Sequence, residues 1–295
     1  LTDETKNIKS ALYLTKEGTQ KSVEAKLFVL AAQAVESSRL LLNSKNKEFP
    51  DGLANSSGAV GKNMLFTGGG MGSGEFDLSH FSQETLLQSG LFVNRALKDW
   101  YFTKEFKGGV VDFLFEHPNP IRRANSLKRE DGKLLFGKAL QDKIFQTFTT
   151  TRTLSFEVFT DWMPNDNCFV SVDENYQDKY GIPVANIRIG AHPQDVKVGE
   201  FLAQKALKVL EKMEAKNITY DISPLPSQNL QAGGCRFGDD PKKHVLNRYC
   251  QSYDHPNLFV TDGSFMPTGG SVPYTWTIYA NAFRVAHYIR DNIRI

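Results

Sequence analysis

One junction constrains this chain more than any other feature. Lys26–Ala31 (KLFVLA) is a continuous apolar run that passes within a few residues into a helical pattern. Val35, Ser38, Arg39 and Leu42 recur there at helical spacing over Ala34–Leu42. A short apolar run of this kind suits a buried strand. A buried strand leading straight into a helix is the unit from which α/β nucleotide-binding layers are built. Upstream, Ala11–Thr15 and Lys21–Lys26 flank the turn-like KEGTQ and read as a strand pair. Near the other end, Asn257–Thr261 (NLFVT) reads as a second short buried strand, and Thr275–Ile289 as an aromatic-rich closing helix.

The middle of the chain differs. A Pro/Gly/Asn/Ser-rich loop (FPDGLANSSGAVGKN) leads into the glycine cluster GGGMGSGEF. Gly109–Phe115, Leu154–Phe159, Cys168–Val172 and Val184–Ile189 are β-branched and aromatic runs, which predict a mainly antiparallel sheet. Gln194–Ala215 is the clearest helix. Its stripe is Val198, Phe201, Leu202, Leu207, Val209, Leu210 and Met213. The order is α/β, then antiparallel β, then α/β again. It predicts a nucleotide-binding domain in two pieces, 1–62 and 226–295, around an inserted substrate-type domain, 63–225.

Composition excludes several classes. The 295 residues leave room for one large or two ordinary domains. Thirty-five Lys and Arg against 33 Asp and Glu leave a net charge of +2, too little for a phosphate-binding surface, so no nucleic acid is expected. No apolar stretch approaches the roughly 20 residues of a membrane helix. The compartment stays open between cytoplasm and periplasm. The three Cys (Cys168, Cys235, Cys250) show no CxxC spacing, and a Cys235–Cys250 bridge stays undecided at this level. The six His show neither HxH nor HExxH spacing, so no metal site is expected. The first residues are polar, lack Met and resemble no signal peptide, so the chain is expected to be the C-terminal part of something longer.

Tests for chemistry mostly fail. From Gly68 and Gly70 the third glycine of GxGxxG would fall at Ser73, and no convincing helix follows. Gly61–Lys62 lacks the rest of a P-loop, and no GxSxG elbow exists. The most specific signal is NLFVTDGSFMPTGG, which puts Asp262 and Gly263 just beyond a buried strand. Ligands of open α/β sheets bind at that end of strands. Asp262 would there accept a ligand hydroxyl, and Gly263 would let backbone approach closely. A plain strand-to-loop turn explains the same residues equally well. GGCRFGDDP (233–241) reads foremost as a turn.

Taken together, these segments resemble the glucose–methanol–choline (GMC) family of flavin oxidoreductases. The resemblance rests on KLFVLAAQAVESSRLLLNS, GLANSSGAVGKNM, GGCRFGDDPKKHVLN, and NLFVTDGSFMPTGG followed by TWTIYANAFRVAHYI, in family order from Lys26 to Ile289. The bacterial sugar- and gluconate-dehydrogenase-like members are the nearest branch. The resemblance implies a fold of α/β plus antiparallel β: a partial, Rossmann-like FAD-binding domain with an inserted substrate domain on an antiparallel sheet. It implies FAD and oxidation of an alcohol or sugar CH–OH by hydride transfer to the flavin. Its flavin contacts carry over to Ala31, Ala32, Asp262, Gly263 and Thr275.

The resemblance also has gaps. The family's dinucleotide glycine motif, which precedes all these segments, is absent, and about half of a usual member is missing. The implied partners are that N-terminal half, a small alcohol or sugar substrate, and an electron-acceptor subunit. This chain alone is expected to bind FAD weakly or not at all. At the family's proton-accepting positions stand Leu230 and Pro273 (or Val272 on a one-residue slip), and Thr67 replaces a frequent His. The nearest polar candidates for catalysis are Asn229, Gln231 and Tyr274. The second reading is a non-catalytic relic serving as a carbohydrate-binding or partner subunit.

Overall fold

A computed structural model describes residues 6–66, 68–82, 93–115, 119–130, 132–190, 192–225 and 229–293. In chain order its strands are β1 (Ser10–Leu14), β2 (Gln20–Glu24), β3 (Phe28–Leu30), β4 (Gly69–Asp77), β5 (Val93–Leu97), β6 (Gly109–Phe115), β7 (Arg129–Glu130), β8 (Lys133–Leu134), β9 (Thr151–Thr160), β10 (Phe169–Gln177), β11 (Pro183–Arg188), β12 (Lys216–Ile222) and β13 (Leu258–Val260). The helices are α1 (Ala34–Asn43), α2 (Pro120–Ser126), α3 (Gly137–Thr149), α4 (Pro193–Lys212) and α5 (Thr275–Asn292). They form two compact units. One comprises Leu1–Thr67, Trp162–His192 and Leu225–Ile295; the other comprises Gly68–Asp161 and Pro193–Pro224.

In the first unit, β1 and β2 form the antiparallel hairpin expected around KEGTQ. β3 pairs in parallel with β13, placing Phe28 beside Leu258 and Leu30 beside Val260. β13 is fully buried, and Phe259 lies in a core with Leu41, Leu65, Trp162, Leu246 and Val285. β3 departs from expectation. The run Lys26–Ala31 gives a strand of only three residues, and Val29 is 51% exposed. β13 is its one partner among the described residues, so its other edge is open. Apolar sequence therefore marks a strand built for burial that the described residues only half bury. The closing helix behaves similarly. Val285 and Asn281 are buried, while Trp276, Tyr279 and Phe283 form a stripe 82, 57 and 70% exposed.

The antiparallel hairpin β10–β11 also belongs to this unit rather than to the large sheet. The expected block 63–225 is thus divided, and 162–192 leaves it. The reason is local. Cys168 and Val170 join Ala34, Val35, Met64 and Phe66 in one apolar cluster. Arg39 of α1 clamps the hairpin turn. Its Nε donates to the Pro183 carbonyl at 2.8 Å and its Nη2 to the Asp178 carboxylate at 2.7 Å. Asn43 Nδ2 donates to the same carbonyl.

The second unit is a five-stranded antiparallel sheet in the order β12-β4-β9-β6-β5. The long helix α4 covers one face. Its Val198, Leu202, Ala203, Ala206, Leu207 and Leu210 pack with Phe76, Val111, Phe113, Phe156 and Val158. Met213, expected in the stripe, lies beyond the helix end and is 46% exposed, where Glu214 turns the backbone with φ 62°. The glycine cluster is strand β4. Gly72 faces the ring of Phe156, and a Cβ there would lie 2.3 Å from Cζ. A Cβ at Gly70 would meet β12, and one at Gly74 would meet Ala215 and Leu210, so these glycines allow close packing by the neighbouring strands and the end of α4.

Strand alternation turns Asp112 and Glu157 to the other face, directly opposite each other on β6 and β9. Burial raises the pKa of both carboxyls, and Asp112 raises that of Glu157 further. A raised folded value means that the folded unit holds these protons more tightly than the unfolded chain. The pair therefore costs nothing below the ordinary carboxylate range. Its penalty grows as pH rises through that range and is complete above the raised folded values. Asp112→Asn is accordingly expected to raise the thermal midpoint at neutral pH and to leave it unchanged near pH ~3, below the ordinary carboxyl values. A midpoint shift independent of pH would show that charge is not the cause.

Candidate functional site

The site is built where β3 and β13 end side by side. Phe28 N–H donates to the Asn257 carbonyl at 2.8 Å, and Thr261 N–H to the Leu30 carbonyl at 3.0 Å. The next residues on each strand are therefore neighbours. After β3 come Ala31, Ala32 and Gln33, all exposed, and then α1. Gln33 caps α1 with a positive φ of 80°, and its side chain accepts from the N–H groups of Val35 and Glu36. After β13 comes Asp262, which is 8% exposed and caps a short 3₁₀ turn, Gly263–Phe265.

The Asp262 carboxylate joins the two strand ends. It accepts from the Ser264 N–H at 2.8 Å and from the hydroxyl of Ser37 on α1. The Ser37 hydroxyl in turn accepts from the Ala32 N–H at 3.2 Å. Asp262 thus sits at the strand end and forms the turn. The partners it holds are the protein's own.

A third segment runs alongside. Gly233, Cys235 and Phe237 N–H groups donate to the carbonyls of Gly263, Ser264 and Phe265 at 3.0, 2.9 and 3.1 Å. GGCRFGDDP is thus a stretch laid against the post-strand turn, more than an isolated turn. Gly263 is closely packed by the protein itself: a Cβ there would lie 3.1 Å from the Gln231 carbonyl and 3.2 Å from Ile278 Cδ1. The close backbone approach expected of Gly263 is filled by this segment and by α5. Burial, followed by the charge of Asp262, pushes the Cys235 thiol up to about 12. All three cysteines are free and buried, so no Cys235–Cys250 bridge forms.

The expected residues gather here unequally. Gln231 is half-buried, and its side-chain carbonyl accepts from the Gln33 amide, bridging the third segment to the α1 cap. Tyr274 begins α5 and is 4% exposed, and its hydroxyl finds no hydrogen-bond partner among the described residues. Burial pushes its phenol well above the ordinary value, so it remains protonated at neutral pH. Thr275 is exposed at the first turn of α5. Asn229 is exposed beside half-buried Leu230, which has a φ of 50°. Pro273 is exposed and Val272 half-buried. Thr67 lies outside the described residues. No group of three or more metal-ligating side chains occurs among the described residues.

Sequence reasoning missed Ser37, Ser264 and the capping role of Gln33. Ser264 is fully buried beside the Cys235 thiol. Ser37 is separated from Asp262 by 225 positions, so no spacing rule could pair them.

A family profile described as GMC oxidoreductase matches residues 164–282, which includes the third segment, β13, the Asp262 turn and the first two turns of α5. The chain belongs to the GMC oxidoreductases. Among curated members it is 31% identical over 292 residues to a 2-methyl-1,2-propanediol dehydrogenase of Mycolicibacterium austroafricanum, covering 97% of this chain and 52% of that protein. It is 24% identical to a gluconate 2-dehydrogenase flavoprotein of Pantoea cypripedii, covering 99% and 48%. The GMC chain here thus spans about half the length of these relatives and corresponds to the family's C-terminal portion. Its fold is similar to a formate oxidase variant from Aspergillus oryzae, with a TM-score of 0.64 at 14% identity over 99% of this chain and 59% of that one.

Proposed function

We propose that this chain is the C-terminal part of an FAD-dependent oxidoreductase that oxidises the CH–OH group of an alcohol or sugar. The observation that carries the reading is the parallel pair β3–β13, whose adjacent ends bring Ala31 and Ala32 beside Asp262 and Gly263 in a GMC chain. The first unit would serve the flavin and the five-stranded unit the substrate.

The residues fit one side of a flavin site. Ala31 and Ala32 leave an exposed strand end without bulk, and one buried hydroxyl, Tyr274, lacks a protein partner among the described residues. A buried hydroxyl without a partner is costly, so a polar group from a ligand would relieve it. Ala31, Ala32, Gly263 and Thr275 would border FAD, with Asp262 fixing the Ser264 turn. Bound FAD supplies the two-electron acceptor for the CH–OH group. The chain's own part is to hold the strand ends in register, present the Tyr274 hydroxyl as a donor and orient substrate through Asn229 or Gln231. Proton acceptance would fall to a group outside this chain, because Leu230 and Pro273 have no basic atom.

A second reading is supported by those same two residues: a non-catalytic GMC relic that binds carbohydrate or a partner. The test is the full-length product of the reading frame containing this chain. It is expected to show flavin absorbance and to reduce an artificial dye with an alcohol or sugar, while this chain alone shows little flavin. A full-length product without flavin or turnover, yet with measurable sugar binding, would establish the second reading.

A further inference from the structure

Between β6 and β9 the chain makes an excursion over residues 119–150, comprising α2, the β7–β8 hairpin and α3. Its own contacts hold it together. The Arg123 guanidinium lies 4.3 Å from the centroid of the Phe148 ring, Lys143 pairs with Glu130 at 2.6 Å, and Leu135 N–H donates to the Lys128 carbonyl at 2.8 Å. Yet no described residue in it is buried. Four apolar side chains protrude: Ile121 at 80%, Leu134 at 57%, Phe136 at 77% and Phe145 at 68% exposure. The excursion also concentrates positive charge. It holds seven Lys or Arg against three Asp or Glu, whereas the whole chain carries only +2. Two of its acids, Glu130 and Asp142, are already neutralised by Lys143 and Lys138.

Exposed apolar side chains set among cations call for a partner that is both negative and apolar. A second copy of the same basic surface would repel it. Protein interfaces deplete Lys, and a protein partner would need a fitted pocket for each side chain. A lipid surface needs no such fit, since protruding Phe, Leu and Ile enter the acyl boundary while Lys and Arg meet the headgroups. We propose that residues 119–150 dock this protein peripherally on an anionic lipid surface. No helix among the described residues is long and apolar enough to cross a membrane, so the contact is a surface one.

The test is co-sedimentation with vesicles of phosphatidylcholine, with and without phosphatidylglycerol. Binding is expected only to the anionic vesicles and should weaken as salt rises. Lys128→Glu with Lys133→Glu is expected to cut partitioning roughly tenfold or more. Phe136→Ser with Phe145→Ser should cut it comparably. All four positions are exposed, so circular dichroism should stay unchanged. Trp276→Ser, on the exposed stripe of α5, should leave binding intact. No anionic preference, no binding at all, or loss through Trp276→Ser alone would each overturn the proposal, whether or not an acidic protein partner is found instead.

Discussion

Replacing Phe156 with Ala is expected to destabilise the sheet unit by about 3–5 kcal/mol, read as a lowered denaturant midpoint. Phe156 is fully buried on the central strand β9, and its ring lies 6.1 Å from that of Phe113, centroid to centroid. It also occupies the space beside Gly72, its partner across the β4–β9 ladder. Gly72→Ala is therefore expected to cost about 1–3 kcal/mol through overpacking. The two losses should not add. In the Phe156→Ala background the added methyl meets no ring, and only the Thr219 carbonyl, 2.6 Å from the Cβ position, still crowds it. A double-mutant cycle should show the second substitution costing less than in the parent. Additive losses would mean that ring and glycine do not share that space.

The other large effect belongs to Asp262. Asp262→Ala removes the cap of the Gly263–Phe265 turn and the acceptor of the buried Ser37 hydroxyl. Capping is worth about 1 kcal/mol, and an unpaired buried group costs about 1–3 kcal/mol more. The first unit is thus expected to lose roughly 2–4 kcal/mol. Asp262→Asn keeps an acceptor for the Ser264 N–H and should lose clearly less. If the proposed flavin site is right, the Ala variant of the full-length protein is also expected to purify with less flavin, because the strand ends that would border it are no longer tied. Equal stability in both variants and the parent would show that the carboxylate ties nothing.

Much of the fold was legible because local chemistry expressed it. Gly109–Phe115 matches β6 residue for residue, and α1, α4 and α5 fall where periodicity put them. The site was legible only in outline. Asp262 and Gly263 were singled out by their place after a buried strand, but Ser37 reaches Asp262 across 225 positions, and the local contacts of Ser264 and the Gln33 cap carry no motif that marks them. The glycine cluster matched no motif in the sequence, and only the structure shows it as strand β4, with Gly72 facing a phenyl ring. The hairpin β10–β11 misled because its alternation is that of any antiparallel strand, and its contacts with α1 and with residues 61–66 assign it to the first unit.

The sequence by itself determined which segments become strands and helices, since apolar periodicity is a local property of the chain. It also determined the family, through motifs spread from Lys26 to Ile289. Only the tertiary structure decided what those segments face. It turned Gly72 toward Phe156, joined Asp262 to Ser37, and left Val29, Trp276 and Phe283 uncovered. Burial depends on what lies across the gap, and that partner is never adjacent in sequence.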